Sequence, residues 1–414
     1  MQKMDKVNKF WSPLYDYANI LALLFIAIGL FYSRALLSMG MIGLLLNAVL
    51  TFSTKQLWVD YKKDVIIYLM TFFFLIYLVS GFYSESFGAW FEIIKMKVPF
   101  LALPFVLLSN NARAKHVRVF IIVFCAILFY STLPIIIEFI SDIEGVLLKY
   151  QRGHTLKTPI GHVRYSLLLS VGVFVSTHFA LKFYEDKKLL LSLGAVLFLT
   201  HLFLFTHLLA VRSGLVCMYV GLFVYSILYV IKNKYWRAFF IGIIIMLGFL
   251  FFAPKAFPTL ENKIGYTMYG FGKLKNNEIG QYSDSKRLLS IKVGWELFKQ
   301  NPIFGVGAGD LVPSVQDMYS QMYSDVAVES RLLPHNQFLR VVNSVGIIGL
   351  IAFLSFFIYP LFNKDIIRNP LLAAFIFSAL ASFCVEGTIE NQIGTAYFIV
   401  FYFTFYKNTS FRLI

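Results

Sequence analysis

Charged residues are scarce in this chain of 414 residues: Asp, Glu, Lys and Arg make up only 14% of it, where a soluble domain carries roughly 25%. That scarcity excludes a soluble globular protein. Cysteine is rarer still. Cys125, Cys217 and Cys384 each lie within an apolar run, so neither a disulfide framework nor a zinc cluster can be assembled from them. No Asp-x-Asp pair occurs, and the nearest metal-like pattern, Asp142-Ile143-Glu144, reads better as a solvated acidic boundary. Internal repeats, low-complexity tracts and a second soluble domain are also missing. What fills the space is apolar: 58% of the residues are hydrophobic and 18% aromatic, with 45 phenylalanines. Only repeated membrane spans use such a composition without aggregating.

Apolar runs suited to crossing a bilayer fall near 17–33, 35–53, 65–83, 98–109, 119–140 and 165–183. Six more fall near 189–209, 214–231, 238–254, 342–362, 371–385 and 393–406. This predicts an all-α polytopic membrane protein with about twelve transmembrane helices. The fourth run is short and interrupted by Pro104. The first follows a charged leader without a small-residue cleavage site, so it is expected to be a retained helix. The net charge of +15 is largely topological, and nucleic acid is not an expected partner. With the N-terminus inside, the inner segments hold 19 Lys and Arg and the short outer segments 8. Both termini are therefore expected in the cytoplasm, and residues 255–341 outside. The chain divides into spans one to nine (1–254), one large outer loop (255–341) and spans ten to twelve (342–414), within a single integrated membrane domain.

The loop is amphipathic. Leu288, Ile291, Trp295 and Phe298 recur at helical spacing, Asn301-Pro302 stops that helix, and a helix lying on the membrane fits. Acidic residues nearly balance its basic ones, so individual arginines must matter more than net charge. The run Gly305-Val306-Gly307-Ala308-Gly309-Asp310 has no preceding strand or βαβ unit, which disfavours a nucleotide site. It reads better as a tight turn against the membrane surface.

Three groups can carry chemistry. Arg212, with Ser213 and Gly214, starts a helix at the outer boundary. It is either an interfacial arginine or, with the free N–H groups of that helix, an anion site suited to phosphate. Arg287 belongs to the amphipathic helix. His335, in Pro334-His335-Asn336 before Gly346 and Gly349, is either a polar residue at a helix start or a general base near neutral pH. Gly346 and Gly349 read as close-packing positions of a membrane helix. Secondary candidates are Asn336, Arg331, Lys95, Lys97, His162, Arg164, Glu386 and Glu390. Snorkelling is an alternative for Lys95, Lys97, His162 and Arg164, while Glu386 and Glu390, beside Asn391 and Gln392, could orient His335 or bind acceptor hydroxyls. His201 and His207 lie in an apolar span, where packing and hydrogen bonding are the default.

The ordered set Arg212-Ser213-Gly214, Arg287 to Trp295, Asn301-Pro302-Ile303-Phe304-Gly305-Val306-Gly307 and Pro334-His335-Asn336 before Gly346 and Gly349 resembles the O-antigen ligase superfamily. Its motifs span about residues 190 to 365. The resemblance implies a GT-C-like fold with a large periplasmic loop between spans nine and ten. It also implies a bacterial inner-membrane glycosyltransferase that takes glycan from an undecaprenyl diphosphate carrier. His335 is then the matching catalytic base, and Arg212 and Arg287 hold the diphosphate. Members often carry Glu where this chain has Ser344, which loosens acceptor recognition. Fixed cations can neutralise a diphosphate leaving group, so transfer without metal or other cofactor is expected, with inversion. Lipid A-core is the leading acceptor. The alternatives are a growing glycan (polymerase), a protein hydroxyl (oligosaccharyltransferase), or a flippase or transporter that transfers nothing.

Overall fold

Long apolar helices dictate the architecture, and no strand occurs among the described residues, which in this computed structural model are 2–51, 64–108, 114–275, 283–362 and 369–407. The helices are α1 (Gln2–Tyr32), α2 (Arg34–Thr51), α3 (Val65–Val79), α4 (Phe87–Leu108), α5 (Ala114–Ser141), α6 (Ile143–Gln151), α7 (His162–Glu185) and α8 (Leu189–Leu209). They continue as α9 (Arg212–Asn233), α10 (Trp236–Ala256), α11 (Pro258–Lys275), α12 (Ser283–Gln300), α13 (Leu311–Met322), α14 (Gln337–Phe362), α15 (Pro370–Val385) and α16 (Gln392–Lys407). Of the charged residues behind the expected topology, Lys55, Lys62, Lys63, Arg113, Glu278, Lys364, Arg368 and Arg412 lie outside the described residues.

Among the described residues, 9 helices are long and apolar enough to cross a membrane: α1, α2, α3, α5, α7, α8, α9, α10 and α14. The other three apolar runs fall in α4, α15 and α16. Of these, α4 begins well before the expected span and contains Pro99 and Pro104, while α15 and α16 are 16 residues each. Burial explains why α16 is apolar all round. It runs through the interior, buried from Ile393 to Phe405, and packs on α4 and α15. A helix hydrophobic on every face is a core helix. In contrast α10 is almost wholly outward-facing. Hairpin α1–α2 packs on α5, α3 packs on α4 and α14, and α9 packs on α7 and α15.

The segment 255–341 folds into α11, α12 and α13 and has a small core of its own. Leu289, Val293 and Leu297 of α12 meet Leu311, Val315, Met318 and Tyr319 of α13. The face that packs thus lies beside the expected apolar stripe, and Leu288 and Trp295 remain exposed. Helix α12 carries two apolar stripes, one packed on α13 and one partly outward, with Ile291 and Phe298 half-buried. The outward one suits a helix at a membrane surface.

The main departure from the sequence reading is at Gly346. Rather than a close-packing residue inside a continuous helix, it forms a break in α14, where Val345 (φ −136°) and Gly346 (φ 69°, ψ −171°) leave the helical region. The backbone groups released by the break are taken up by the glycine run. Val306 N–H donates to Asn343 O at 2.8 Å, Gly307 N–H to Ser344 O at 3.0 Å, and Ile347 N–H to Pro302 O at 2.9 Å. The run is therefore a plug for the broken helix. Asp310 anchors it by accepting from Glu85 N–H at 2.7 Å and Ser86 N–H at 2.8 Å. A Cβ on Gly346 would collide with the Ile303 carbonyl oxygen, and its φ and ψ lie in a region essentially restricted to glycine. Gly346→Ala should cost about 1–3 kcal/mol in backbone strain alone and undock the plug. Limited proteolysis should then cut near Phe304 sooner than in the wild type, and unchanged cleavage would show that the break tolerates a side chain.

Candidate active site

Two residues separate α8 from α9, and they set the aim of Arg212. Ala210 closes α8 in the left-handed region (φ 49°), and Val211 is extended. Helix α9 can start this close to α7 because Gly214 lies where any Cβ would meet Ser166. Arg212 stands in the first turn, where the helix dipole disfavours a cation, and the structure supplies a counter-charge. Asp284 of α12 accepts from Nη1 at 2.9 Å and from Nη2 at 2.6 Å, and Thr267 of α11 accepts from Nη1 at 2.7 Å. Arg212 is thus not a snorkelling arginine. It is a fork fixed from two helices.

His335 is held from below. Its backbone N–H donates to Ser290 Oγ at 3.2 Å, and Ser290 in turn donates to Arg287 O at 2.7 Å. Gly294 of α12 lies against Pro334. Asn336 caps α14, accepting from Leu339 N–H at 3.0 Å and donating to Cys384 O at 3.1 Å. Asn336 therefore orients the helix start. The His335 Nδ1 atom lies 3.3 Å from Glu386 Oε2, close enough for charge pairing but without the alignment of a hydrogen bond. Arg287 Nη2 is 3.7 Å from the same oxygen. Burial works against the ionised Glu386, but His335, Arg287 and Arg164 outweigh it and hold the carboxyl below its usual range.

Two cavities adjoin here. One, of about 320 Å³, is lined by Val216, Leu288, Ile291, Cys384 and Val385 with Arg212, Ser213, Asp284, Arg287 and His335. The other, of about 310 Å³, is polar and is lined by His154, Thr155, His162, Lys263 and Ser283 among others. Arg212, Ser213 and Arg287 belong to both. A larger cavity of about 580 Å³ lies away from these groups, among Tyr184, Tyr219, Tyr225, Tyr229 and Tyr235. It contains no arginine or histidine, so size alone is a poor guide to the chemistry.

The secondary candidates divide. His162 lines the polar cavity, and Arg164 lies near Glu386 with its Nε buried and without a hydrogen-bond partner. Lys97 does not reach the site. It is fully buried, 3.0 Å from Glu390 Oε1, and donates to Ile389 O at 3.1 Å. Glu390 also accepts from Gln337, so this pair ties α4 to α14 and to the turn before α16. Lys97 and Glu390 are structural because both are consumed by each other. Lys95 pairs with Glu92 at the surface. Arg331 is spent within the loop, donating to Val326 O, Gln316 O and Ser320 Oγ. Asp142 caps α6 by accepting from Gly145 N–H at 2.9 Å. His201 pairs with Thr132, and His207 with Tyr219, the packing role expected of them.

Sequence reasoning missed Asp284 and Lys263. Asp284 lies 72 residues from Arg212, and no local pattern announces such a pair. Lys263 and Thr267 are four residues apart, so they share one face of α11, and that polar face was a usable signal.

Residues 193–354 match the family model described as O-antigen ligase. The match runs from α8 into α14 and includes Arg212, Lys263, Asp284, Arg287, His335 and Gly346, whereas Glu386 and His162 fall outside it. No curated protein matches the chain. The segment 193–354 is thus similar to the O-antigen ligase family, and the fixed arginine, the broken α14 and the His335 turn all lie inside it.

Proposed function

We propose that this protein transfers a glycan from an undecaprenyl diphosphate carrier to lipid A-core oligosaccharide. It acts at the periplasmic face of the bacterial inner membrane, with both termini in the cytoplasm. The observation that carries this reading is the convergence of Arg212, Arg287 and His335 on one cavity. The family match over residues 193–354 supports the coarser statement, an O-antigen ligase or polymerase type of membrane glycosyltransferase. In the proposed step the acceptor hydroxyl gives its proton to His335 as its oxygen attacks the anomeric carbon. The bond from that carbon to the phosphate oxygen breaks, and the diphosphate leaves with the electron pair, its charge met by Arg212 and Arg287. One displacement inverts the anomeric centre.

The test is purified protein with lipid-linked glycan and, in turn, lipid A-core, a second lipid-linked glycan and a protein acceptor. Transfer to lipid A-core alone supports the ligase. Transfer to the second or third makes the protein a polymerase or an oligosaccharyltransferase, and donor movement across vesicles without transfer makes it a transporter. Transfer should persist in EDTA, because arginine forks carry the diphosphate charge. Loss on chelation that magnesium or manganese restores would overturn that assignment.

A further inference from the structure

The polar cavity beside Arg212 is more cationic than a solvent pocket needs to be. Lys263, on α11, enters it half-buried and donates to Gly153 O at 2.8 Å. Among the described residues no carboxylate oxygen comes within ion-pair distance of its ammonium, and Asp284 is committed to Arg212. Burial, together with the charges of Arg212 and Arg287, pushes the Lys263 ammonium below the usual lysine range against the opposing pull of Asp284. The ammonium also lies 5.6 Å from the centre of the Tyr266 ring, so a carbonyl and an aromatic face hold it and no carboxylate is paired with it. The same walls add donors: α7 and α9 both begin at this cavity, and neither first turn is capped by a side chain. Ser213, Ser283 and His162 complete the lining.

The two cavities share Arg212, Ser213 and Arg287, but Lys263 belongs only to the polar one and His335 only to the other. We infer that the polar cavity is a second phosphate subsite, with Lys263 as its principal cation. It takes one phosphate of a lipid diphosphate while the Arg212–Arg287 wall takes the other. The inference rests on the donor reading above and extends it. It makes Lys263 the residue that distinguishes a diphosphate from a monophosphate.

The test uses the full chain in detergent, with undecaprenyl diphosphate and undecaprenyl monophosphate as probes. The wild type should bind the diphosphate more tightly. Lys263→Gln removes the charge and keeps an N–H donor on a slightly shorter side chain. It should weaken diphosphate binding on the order of tenfold, the size of a lost charge-assisted hydrogen bond, and leave monophosphate binding unchanged. Lys263→Arg should retain the preference. Equal affinity of the wild type for both probes overturns the inference whatever the variants do. So does a Lys263→Gln protein that keeps the wild-type preference or loses both probes equally. If the wild type binds neither probe, the donor reading itself fails. If it binds both, and Arg212→Ala abolishes binding while Lys263→Gln changes nothing, only the second subsite fails.

Discussion

Replacing His335 with Ala should leave binding of the lipid-linked donor nearly intact and slow transfer by about 100-fold to 10,000-fold, the range a general base contributes. A sugar hydroxyl is a poor nucleophile at neutral pH and gains from a group that removes its proton as the new bond forms. The imidazole is suited to this by its setting. Ser290 fixes the backbone of His335, Asn336 fixes the helix that follows, and Glu386 faces Nδ1. His335→Gln should be no better than Ala, since an amide cannot take the proton at useful pH. Glu386→Gln should slow transfer less, because it removes a positioning charge and leaves the base. Donor binding and single-turnover transfer must be measured separately on folded protein. Wild-type transfer by His335→Ala would remove the base assignment. Joint loss of binding and transfer would move His335 to the donor-binding group.

Arg212→Ala and Arg287→Ala should each lose donor binding and transfer together, while the protein remains in the membrane. Each guanidinium near a diphosphate can contribute on the order of 4 kcal/mol of Coulomb energy at an effective dielectric near 20. The two losses should differ in origin. Without Arg212, Asp284 remains on the cavity wall without its two guanidinium hydrogen bonds, so a carboxylate stripped of its ion pair faces the incoming phosphates. Without Arg287, Glu386 keeps His335 and Arg164 but loses one of the charges that hold it ionised. Lysine at 212 should rescue only in part, since an ammonium cannot reproduce the two parallel bonds to Asp284 or present a planar edge to phosphate. Full activity of Arg212→Lys would reduce Arg212 to a general positive charge. Normal donor binding by both Ala variants would place the diphosphate elsewhere.

The sequence by itself determined the class of fold, because the solvent a chain needs is written in its composition. Long apolar runs in a chain with so little charge have to be helices that satisfy their own backbone. It also fixed the order of Arg212, Arg287 and His335 along the chain and the helix that carries Arg287, since capping, periodicity and proline stops are local signals. Its span limits were less secure. Segments such as α16 are enclosed by other helices, and an apolar run reports burial without saying whether lipid or protein covers it.

Only the tertiary structure decided which charges are free to act. Lys97 and Arg212 look alike in sequence, as basic residues at helix boundaries. One is consumed by Glu390, and the other is oriented by Asp284. Glu386 and Glu390 are neighbours in one turn, yet one faces His335 and the other a buried lysine. The glycine run and Gly346 carry no visible relation until three backbone hydrogen bonds join them across the break in α14. Each of these outcomes depends on pairing between residues tens to hundreds of positions apart. Electrostatic energy depends on distance in space, and separation along the chain carries no information about it.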